Sequence, residues 1–190
     1  TTHAMVAKAV ASIYPGLADL AGRIGDPAVR NRGTIGGSLA NNDPSACYPA
    51  AALGSGATII TNRREIAADD YFQGMFTTAL DEGEIVTGAR FPIPQAAHYA
   101  KMAQPASRFP LVAVYVAKYA DGVRVAVTGA SEDGVFRWSA AEEALSANFS
   151  TVNTEITRLG MLDELAPTIY GQSGRGPVFR NYVGGEIGEM

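Results

Sequence analysis

The 190-residue chain has one cysteine, two histidines and few charged side chains. The single cysteine, Cys47, cannot form an internal disulfide, and it excludes a cysteine-ligated iron–sulfur cluster or structural zinc site within the chain. Two histidines are too few to suggest a metal centre, and no metal ligand is predicted. The cysteine content fits a reducing compartment, so we expect a cytoplasmic protein.

Charged residues make up only 18% of the chain and the formal net charge is −4. No basic surface is therefore indicated, and nucleic acid is not an expected partner. Apolar runs such as LVAVYVA at 111–117 fall far short of the roughly 20 residues that cross a bilayer. The first ten residues, TTHAMVAKAV, also lack the pattern of a secretory signal. We expect neither a membrane span nor export.

The hydrophobic content of 47% is enough to build a core, and its patterns predict both helices and strands. A short helix is predicted over 4–12 with Thr2 as its cap, and a second from Pro15, where apolar residues recur at helical spacing up to Ile24. The segments 57–61 and 65–68 read as a hairpin, and 84–94 as a strand. Asp69 or Asp70 is expected to cap a short helix that runs to residue 76.

From residue 98 onward the pattern changes to strands followed by helices. Runs at 111–120 and 123–131 flank Asp121-Gly122, a favourable hairpin turn, and 135–138 is a further strand. Ser139 and Glu142 read as a capping box that opens a helix over 140–146, and another helix is expected from Pro177. We therefore predict an α+β fold with two domains, residues 1–97 and 98–190.

The stretch RNRGTIGGSLANNDPSACYP, residues 30–49, shows no period of 2 or 3.6 and is predicted to be a structured loop. Within it, Gly36 and Gly37 allow successive backbone N–H groups to turn toward one point, where a phosphate group could bind. Thr34 and Ser38 add hydroxyl groups. Paired glycines also occur in plain turns, and both readings are open on these residues alone. The fingerprints of P-loop and Rossmann proteins are absent.

A longer string carries more information. The segments DPAVRNRGTIGGSLANNDPSACYPAA, GATIITNRREIAADDYFQGMF, ALDEGEIVTGARFPIP and KMAQPASRFPLVAVYVA together resemble the FAD-binding medium subunit of the molybdenum hydroxylases. That family includes xanthine dehydrogenase and aerobic carbon monoxide dehydrogenase. The resemblance implies the remainder of a PCMH-type FAD-binding domain, followed by an α+β domain like the C-terminal domain of the carbon monoxide dehydrogenase flavoprotein.

The resemblance also implies a set of FAD-binding positions. The motif that lies against the FAD diphosphate corresponds to Thr34, Ile35, Gly36, Gly37 and Ser38. Residues expected near the flavin or sugar are Ile24, Asn42, Asp43, Cys47, Ile85 and Lys101. Many relatives have an aspartate where this chain has Cys47, a poor hydrogen-bond acceptor by comparison. Either Asn41, Asn42 or Asp43 takes over that contact, or the contact is lost.

By the same resemblance, FAD is the cofactor, and a small [2Fe–2S] subunit and a large molybdenum-cofactor subunit are the partners. The chain would pass electrons from the iron–sulfur clusters through FAD to an acceptor, and no side chain need act as acid or base. The family's second glycine-rich loop, about a hundred residues upstream, has no counterpart in this sequence, so we expect a fragment or truncated product. The alternative is a non-catalytic interaction module that binds no flavin.

Other candidate residues have plainer interpretations. Cys47 is expected to be packed and unreactive, because no histidine or following basic residue lies near it in sequence. His98 is expected at a surface or domain boundary, and Glu142 and Glu143 on the solvent side of a helix. Tyr115 is expected on one strand face in the core or an interface, with an approach to the flavin as the alternative.

Overall fold

The computed structural model of the chain describes residues 1–131 and 133–147. The helix predicted from Pro177 and the remainder of the predicted second domain lie outside these residues. Helices of the described part are α1 (His3–Ala9), α2 (Pro15–Gly22), α3 (Pro27–Arg32), α4 (Ile35–Asn41), α5 (Cys47–Ser55), α6 (Ala68–Tyr71) and α7 (Ser139–Ala147). Its strands are β1 (Thr58–Thr61), β2 (Glu65–Ala67), β3 (Phe72–Gly74), β4 (Thr77–Thr78), β5 (Val86–Arg90), β6 (Ala96–Ala103), β7 (Pro110–Tyr119), β8 (Gly122–Thr128) and β9 (Phe136–Arg137).

The first two helices begin where the sequence predicts. The Thr2 hydroxyl accepts a hydrogen bond from the Met5 N–H (3.3 Å), and Pro15 occupies the first position of α2, where its missing N–H costs nothing. The apolar stripe of α2 buries Leu17 and Leu20. Both predicted helices are thus confirmed, with α1 ending earlier, at Ala9.

The prediction of a loop over residues 30–49 is wrong. Three short helices occupy most of it, and each of the first two starts at a side-chain cap: Asp26 accepts from the Val29 N–H (2.9 Å), and Thr34 accepts from the Gly37 N–H (3.0 Å). Asn42, in the left-handed conformation at φ 43°, ends α4. Because α3 and α4 have only six and seven residues, they are too short to show a helical period in the sequence.

Helix α5 lies at the centre of the structure. All nine of its residues, Cys47–Ser55, are buried, so the helix has no solvent-facing side. It packs against β7 and β8, and its small residues allow the close approach: a Cβ on Gly54 would lie 3.2 Å from the Tyr115 carbonyl oxygen. At its C-terminal end the Arg124 guanidinium donates to the Leu53 carbonyl (2.8 Å), which satisfies one of the free carbonyls of the last turn.

The described strands form antiparallel sheets, and the α+β prediction is confirmed. One sheet has the order β2-β1-β5, a second pairs β3 with β4, and the third has the order β6-β7-β8-β9. On the third sheet, alternate residues face opposite layers: Tyr99, Tyr115 and Ala117 join the core around α5, whereas Val114 and Val116 join a second cluster with α7. Tyr115 is therefore a core residue, as expected. The turn between β7 and β8 is Ala120-Asp121, one position earlier than predicted.

Two predictions about acidic residues are wrong. Helix α6 ends at Tyr71 and has no side-chain cap, whereas Asp69 forms ion pairs with Arg124 (2.8 Å) and Arg137 (3.2 Å). Glu142 faces neither Ser139 nor solvent; its carboxylate accepts from the Val125 N–H (2.9 Å) and from Arg137 (2.6 Å). Asp69 is paired with arginines from distant strands and Glu142 with the nearby Arg137, and these charged hydrogen bonds are stronger than those of a neutral local cap.

Within residues 1–131 and 133–147, no helix is long and apolar enough to cross a membrane.

Glu84 links the β1–β2 hairpin to the start of β5. Its carboxylate is buried and accepts from the Thr61 hydroxyl (2.6 Å), the Asp81 N–H (2.9 Å) and the Arg64 guanidinium (3.0 Å). These hydrogen bonds, with that of Arg64 the largest cause, lower the pKa of Glu84 from 4.5 to about 2. A carboxyl whose pKa is depressed by folding stabilises the folded state above its unfolded pKa, and that stabilisation is lost as pH falls through the folded pKa.

We therefore expect Glu84→Gln to lower the free energy of unfolding at neutral pH, with the deficit shrinking as pH falls from 4.5 toward about 2. Urea denaturation across this pH range measures the effect. Glu82→Gln, at an exposed neighbouring position, is the control and should show a small, flat difference. A deficit for Glu84→Gln that stays constant over the whole range would contradict this account.

Candidate functional site

A cavity of about 450 Å³ opens between the start of α1, the α2–α3 junction, α4, the start of α5 and the strand β6. A cavity of this volume lies within the usual range for small-molecule sites. It brings together seven of the residues that the sequence suggested for cofactor binding, although they are spread over almost 80 positions. These are Ile24, Thr34, Gly37, Ser38, Asp43, Cys47 and Lys101.

The remaining four predicted site residues lie elsewhere. Ile35 and Gly36 line an adjacent groove of about 440 Å³, which they share with Thr34, Gly37 and the segment 86–89 of β5. Ile85 is 61% exposed and lines neither space. Asn42 also lines neither, because its side chain is turned into the protein.

The amides around the paired glycines do not form the predicted nest in a loop. They belong to the first turn of α4, since Thr34 caps that helix. The Ile35 N–H donates to the Thr1 carbonyl (3.1 Å), and the Gly37 N–H donates to the Thr34 hydroxyl (3.0 Å). Among the described residues only the Gly36 N–H of these three has no hydrogen-bond partner. One free amide and the Ser38 side chain are therefore what this turn offers to a ligand.

Lys101 is the most unusual charged residue of the cavity. It is 3% exposed, its Nζ donates to the Arg23 carbonyl (2.8 Å), and the Cys47 Sγ lies 3.6 Å away. In the described part of the chain no carboxylate forms an ion pair with it. Burial lowers the pKa of Lys101 and raises the pKa of the Cys47 thiol. A buried ammonium without a counter-ion favours an anionic ligand in the adjoining space.

Cys47 is 5% exposed, and its raised pKa agrees with the predicted unreactive thiol. Its neighbour Lys101, however, is 54 residues away in the sequence. Sequence reasoning treated the two separately, and no local signal pairs them. The contact exists because Cys47 starts α5 and Lys101 lies on β6, which pack beside α2.

The other charges lining the cavity add to this positive character. Arg32 and Arg108 contribute two guanidinium groups, and Asp43 is the only acidic residue among the described lining residues. The Asp43 carboxylate already accepts a hydrogen bond from the Ser45 N–H (2.8 Å). Apolar side chains, Ile24, Val29 and Phe109, complete the wall. The cavity therefore suits a ligand that combines a flat or apolar part with negative charge.

Several lining residues were missed by the sequence reasoning, and His3 is the one furthest from any predicted motif. His3 reaches the cavity because the chain start pairs with the α4 motif, through the Thr2–Thr34 bridge and the hydrogen bond from the His3 N–H to the Gly33 carbonyl (3.0 Å). A histidine three residues into the chain carries no pattern that would reveal this pairing.

Comparisons with known proteins give one consistent result. Residues 1–94 match the family described as "FAD binding domain in molybdopterin dehydrogenase". The carbon monoxide dehydrogenase medium chain of Afipia carboxidovorans is 38% identical over 103 residues, 52% of this chain and 36% of that protein. The nicotine 6-hydroxylase medium subunit of Paenarthrobacter nicotinovorans is 36% identical over 141 residues, 68% of this chain and 50% of that protein.

Solved structures agree with these sequences. Carbon monoxide dehydrogenase from Oligotropha carboxidovorans superposes with a TM-score of 0.74 at 25% identity, covering 100% of this chain and 70% of that one. Quinoline 2-oxidoreductase from Pseudomonas putida 86 gives 0.71 at 26% identity, covering 83% and 61%. Measured on the two curated relatives, the aligned part of this chain spans about a third to a half of their length.

Gly33 provides a first test of the geometry. A Cβ at this position would lie 2.5 Å from the His3 Nε2, closer than such contacts occur, so we expect Gly33→Ala to lower the free energy of unfolding by about 1–3 kcal/mol. Thermal or urea unfolding measures it. Gly22→Ala, with open space around its Cβ, is the control and should be neutral or slightly stabilising. Combining Gly33→Ala with His3→Ala should recover part of the loss; no recovery would mean that His3 is not the obstacle.

Asn42 provides a second test. Its Nδ2 donates to the carbonyls of Gly74 (2.8 Å) and Thr77 (2.8 Å), while its φ of 43° favours asparagine or glycine. Asn42→Gly keeps the backbone conformation and removes both hydrogen bonds, and we expect a loss of about 1–3 kcal/mol in unfolding free energy. The control is Asn41→Ala. Asn41 is an exposed helical residue, so glycine there would itself weaken the helix, whereas alanine would not. An equal effect of Asn42→Gly and Asn41→Ala would contradict the assigned role.

Proposed function

The chain belongs, through residues 1–94, to the family of FAD-binding domains of molybdopterin dehydrogenases, and on that premise we propose that it is an electron-transferring FAD-binding medium subunit. In this proposal electrons pass from the [2Fe–2S] clusters of a small subunit, through FAD, to an acceptor, and a large molybdenum-cofactor subunit carries out the hydroxylation. The observation that carries the proposal is the positively charged cavity, which gathers Ile24, Thr34, Ser38, Cys47 and Lys101 in one place.

The residues present fit such a cofactor. FAD combines a flat, largely apolar ring with a diphosphate that carries negative charge, and the cavity combines Ile24, Val29 and Phe109 with three cationic side chains. The buried ammonium of Lys101, which has no carboxylate partner among the described residues, supplies the strongest local attraction for an anion. A bound flavin supplies the redox chemistry itself.

The chain's own residues would hold and orient the cofactor. Thr34 and Gly37 line both the cavity and the adjacent groove, so a ligand longer than one space can pass over the start of α4 from one to the other. Along that path the Gly36 N–H and the Ser38 hydroxyl are available to phosphate oxygens. Ile24 would pack against the ring, and Lys101 would face its polar edge. Cofactor roles for Asn42 and Ile85 stay predictions without a supporting contact.

Two further features of the proposal come from the sequence. The domain boundary is kept at residue 97, close to the end of the family match at 94. A cytoplasmic location is kept because a single cysteine allows no internal disulfide. Limited proteolysis and cell fractionation test these two points.

A second function has its own supporting observation. Two of the three amides at the start of α4, those of Ile35 and Gly37, already donate to oxygens of the protein. That arrangement favours a module that keeps its interactions with partner subunits and binds no flavin. Adding FAD to the purified protein separates the two functions, since a flavoprotein retains flavin absorbance and quenches flavin fluorescence whereas the interaction module does neither.

Lys101 gives the sharper test. Lys101→Met removes the buried charge while keeping an unbranched side chain, and we expect it to weaken FAD binding roughly tenfold or more, since hydrogen bonds to charged groups contribute about 1.5–3 kcal/mol. Fluorescence titration measures the dissociation constant. The control, Lys8→Met, changes an exposed lysine of α1 and should bind as the wild type does. If Lys101→Met binds FAD as tightly as Lys8→Met, Lys101 does not contact the cofactor.

A further inference from the structure

His3 is a buried side chain whose hydrogen-bonding capacity is unused. It is 5% exposed, and its Nδ1 is buried without a hydrogen-bond partner. Neither ring nitrogen bonds to any of the described residues. Buried polar side-chain atoms nearly always have a partner. Because the orphaned Nδ1 is enclosed by protein, Nε2, which is not among the enclosed unpartnered atoms, is the ring nitrogen that can meet an occupant of the cavity.

The position of the imidazole is fixed by the protein. The backbone of His3 is held by its hydrogen bond to the Gly33 carbonyl (3.0 Å) and by the adjoining Thr2–Thr34 bridge. The ring packs against Tyr48 of α5, with ring centroids 5.3 Å apart and planes tilted by 44°. On its other side it lies so close to Gly33 that a Cβ there would be 2.5 Å from Nε2. The ring is thus oriented before any ligand binds.

Burial is the main cause that lowers the pKa of His3, and it favours the neutral ring. A neutral imidazole has one N–H donor and one acceptor nitrogen. The ring lies beside Gly33, and the adjoining Thr2 pairs with Thr34, which lines both the cavity and the adjacent groove. An oxygen-rich part of the ligand would therefore meet the imidazole.

We propose that His3 is a ligand-binding residue of this cavity, and that its imidazole N–H donates a hydrogen bond to an oxygen of the diphosphate–ribityl part of the bound dinucleotide. The inference rests on the proposed function, because it takes FAD as the occupant. It adds a role for Gly33 as well: the residue lacks a Cβ so that the ring can stand beside the start of α4.

The test uses the intact protein and measures FAD affinity by fluorescence titration. His3→Phe keeps a ring against Tyr48 but has no nitrogen, and we expect FAD to bind about tenfold more weakly. His3→Gln keeps an N–H donor and should stay within about threefold of the wild type. The control is His98→Gln, in β6 outside the cavity, which should leave affinity unchanged.

Two further readouts separate a ligand contact from a structural role. The melting temperature without FAD should be similar for His3→Phe and the wild type, because Tyr48 still has a ring to pack against. In ¹⁵N-detected spectra of histidine-labelled protein, FAD should shift the His3 ring resonances, and it should leave those of His98 in place. If His3→Phe fails to fold, the proposal is tested by the FAD affinity of His3→Gln and by the His3 ring resonances, and unshifted resonances on FAD binding would contradict it.

The ligand series identifies which oxygen is involved. A His3→Phe penalty for FAD and FMN but not for riboflavin points to phosphate, and a penalty for all three points to the ribityl hydroxyls; either supports the proposal. If wild-type protein binds FAD and His3→Phe binds it equally well with unshifted His3 resonances, the inference fails while the proposed function stands. If wild-type protein binds no FAD, both fail.

Discussion

The burial of α5 on every side is the constraint on which the rest of the structure depends. Because none of its nine residues faces solvent, the sheet of β6–β9 has to cover one side and α2 and α4 the other. The small residues of the helix set how closely these layers approach, as the contact between Gly54 and Tyr115 illustrates. The cavity lies at the N-terminal end of this packed helix, where Cys47 is its first residue.

The same constraint explains the charge of the cavity. Packing β6 beside α2 and α5 carries Lys101 into the interior, and its ammonium meets a carbonyl and a thiol there but no carboxylate among the described residues. A buried cation arranged in this way is costly for the protein alone and becomes favourable when an anion occupies the neighbouring space. In our proposal the compensating negative charge comes from the ligand.

The glycine-rich motif acts differently from its first interpretation. The paired glycines were expected to bend a loop around phosphate, but Thr34 caps a helix and draws both glycines into its first turn. The motif then serves two purposes at once: its side chains and one free amide line the ligand space, and its backbone pairs with the chain start, through Thr1 and Thr2. That pairing is what carries His3 to the cavity wall.

The sequence by itself determined several local elements, the fold class and the family, but not the short helices α3 and α4. The Thr2 cap, Pro15 at the first position of α2 and the alternation in β7 act over a few neighbouring residues, so they can be read from the order of the residues alone. The hairpin between β7 and β8 was predicted for the same reason, one position away from its turn at Ala120-Asp121. The motif from Thr34 to Ser38 was recognisable for the same reason, and it led to seven residues that line one cavity. The tertiary structure alone decided the contact of Cys47 with Lys101, the partners of Asp69 and Glu142, and the position of His3. Glu142 and Arg137 are only 5 positions apart, but Cys47 and Lys101 are 54 apart and Asp69 and Arg137 are 68 apart. Contacts between residues so distant in the sequence exist only because packing around α5 brings separate elements together.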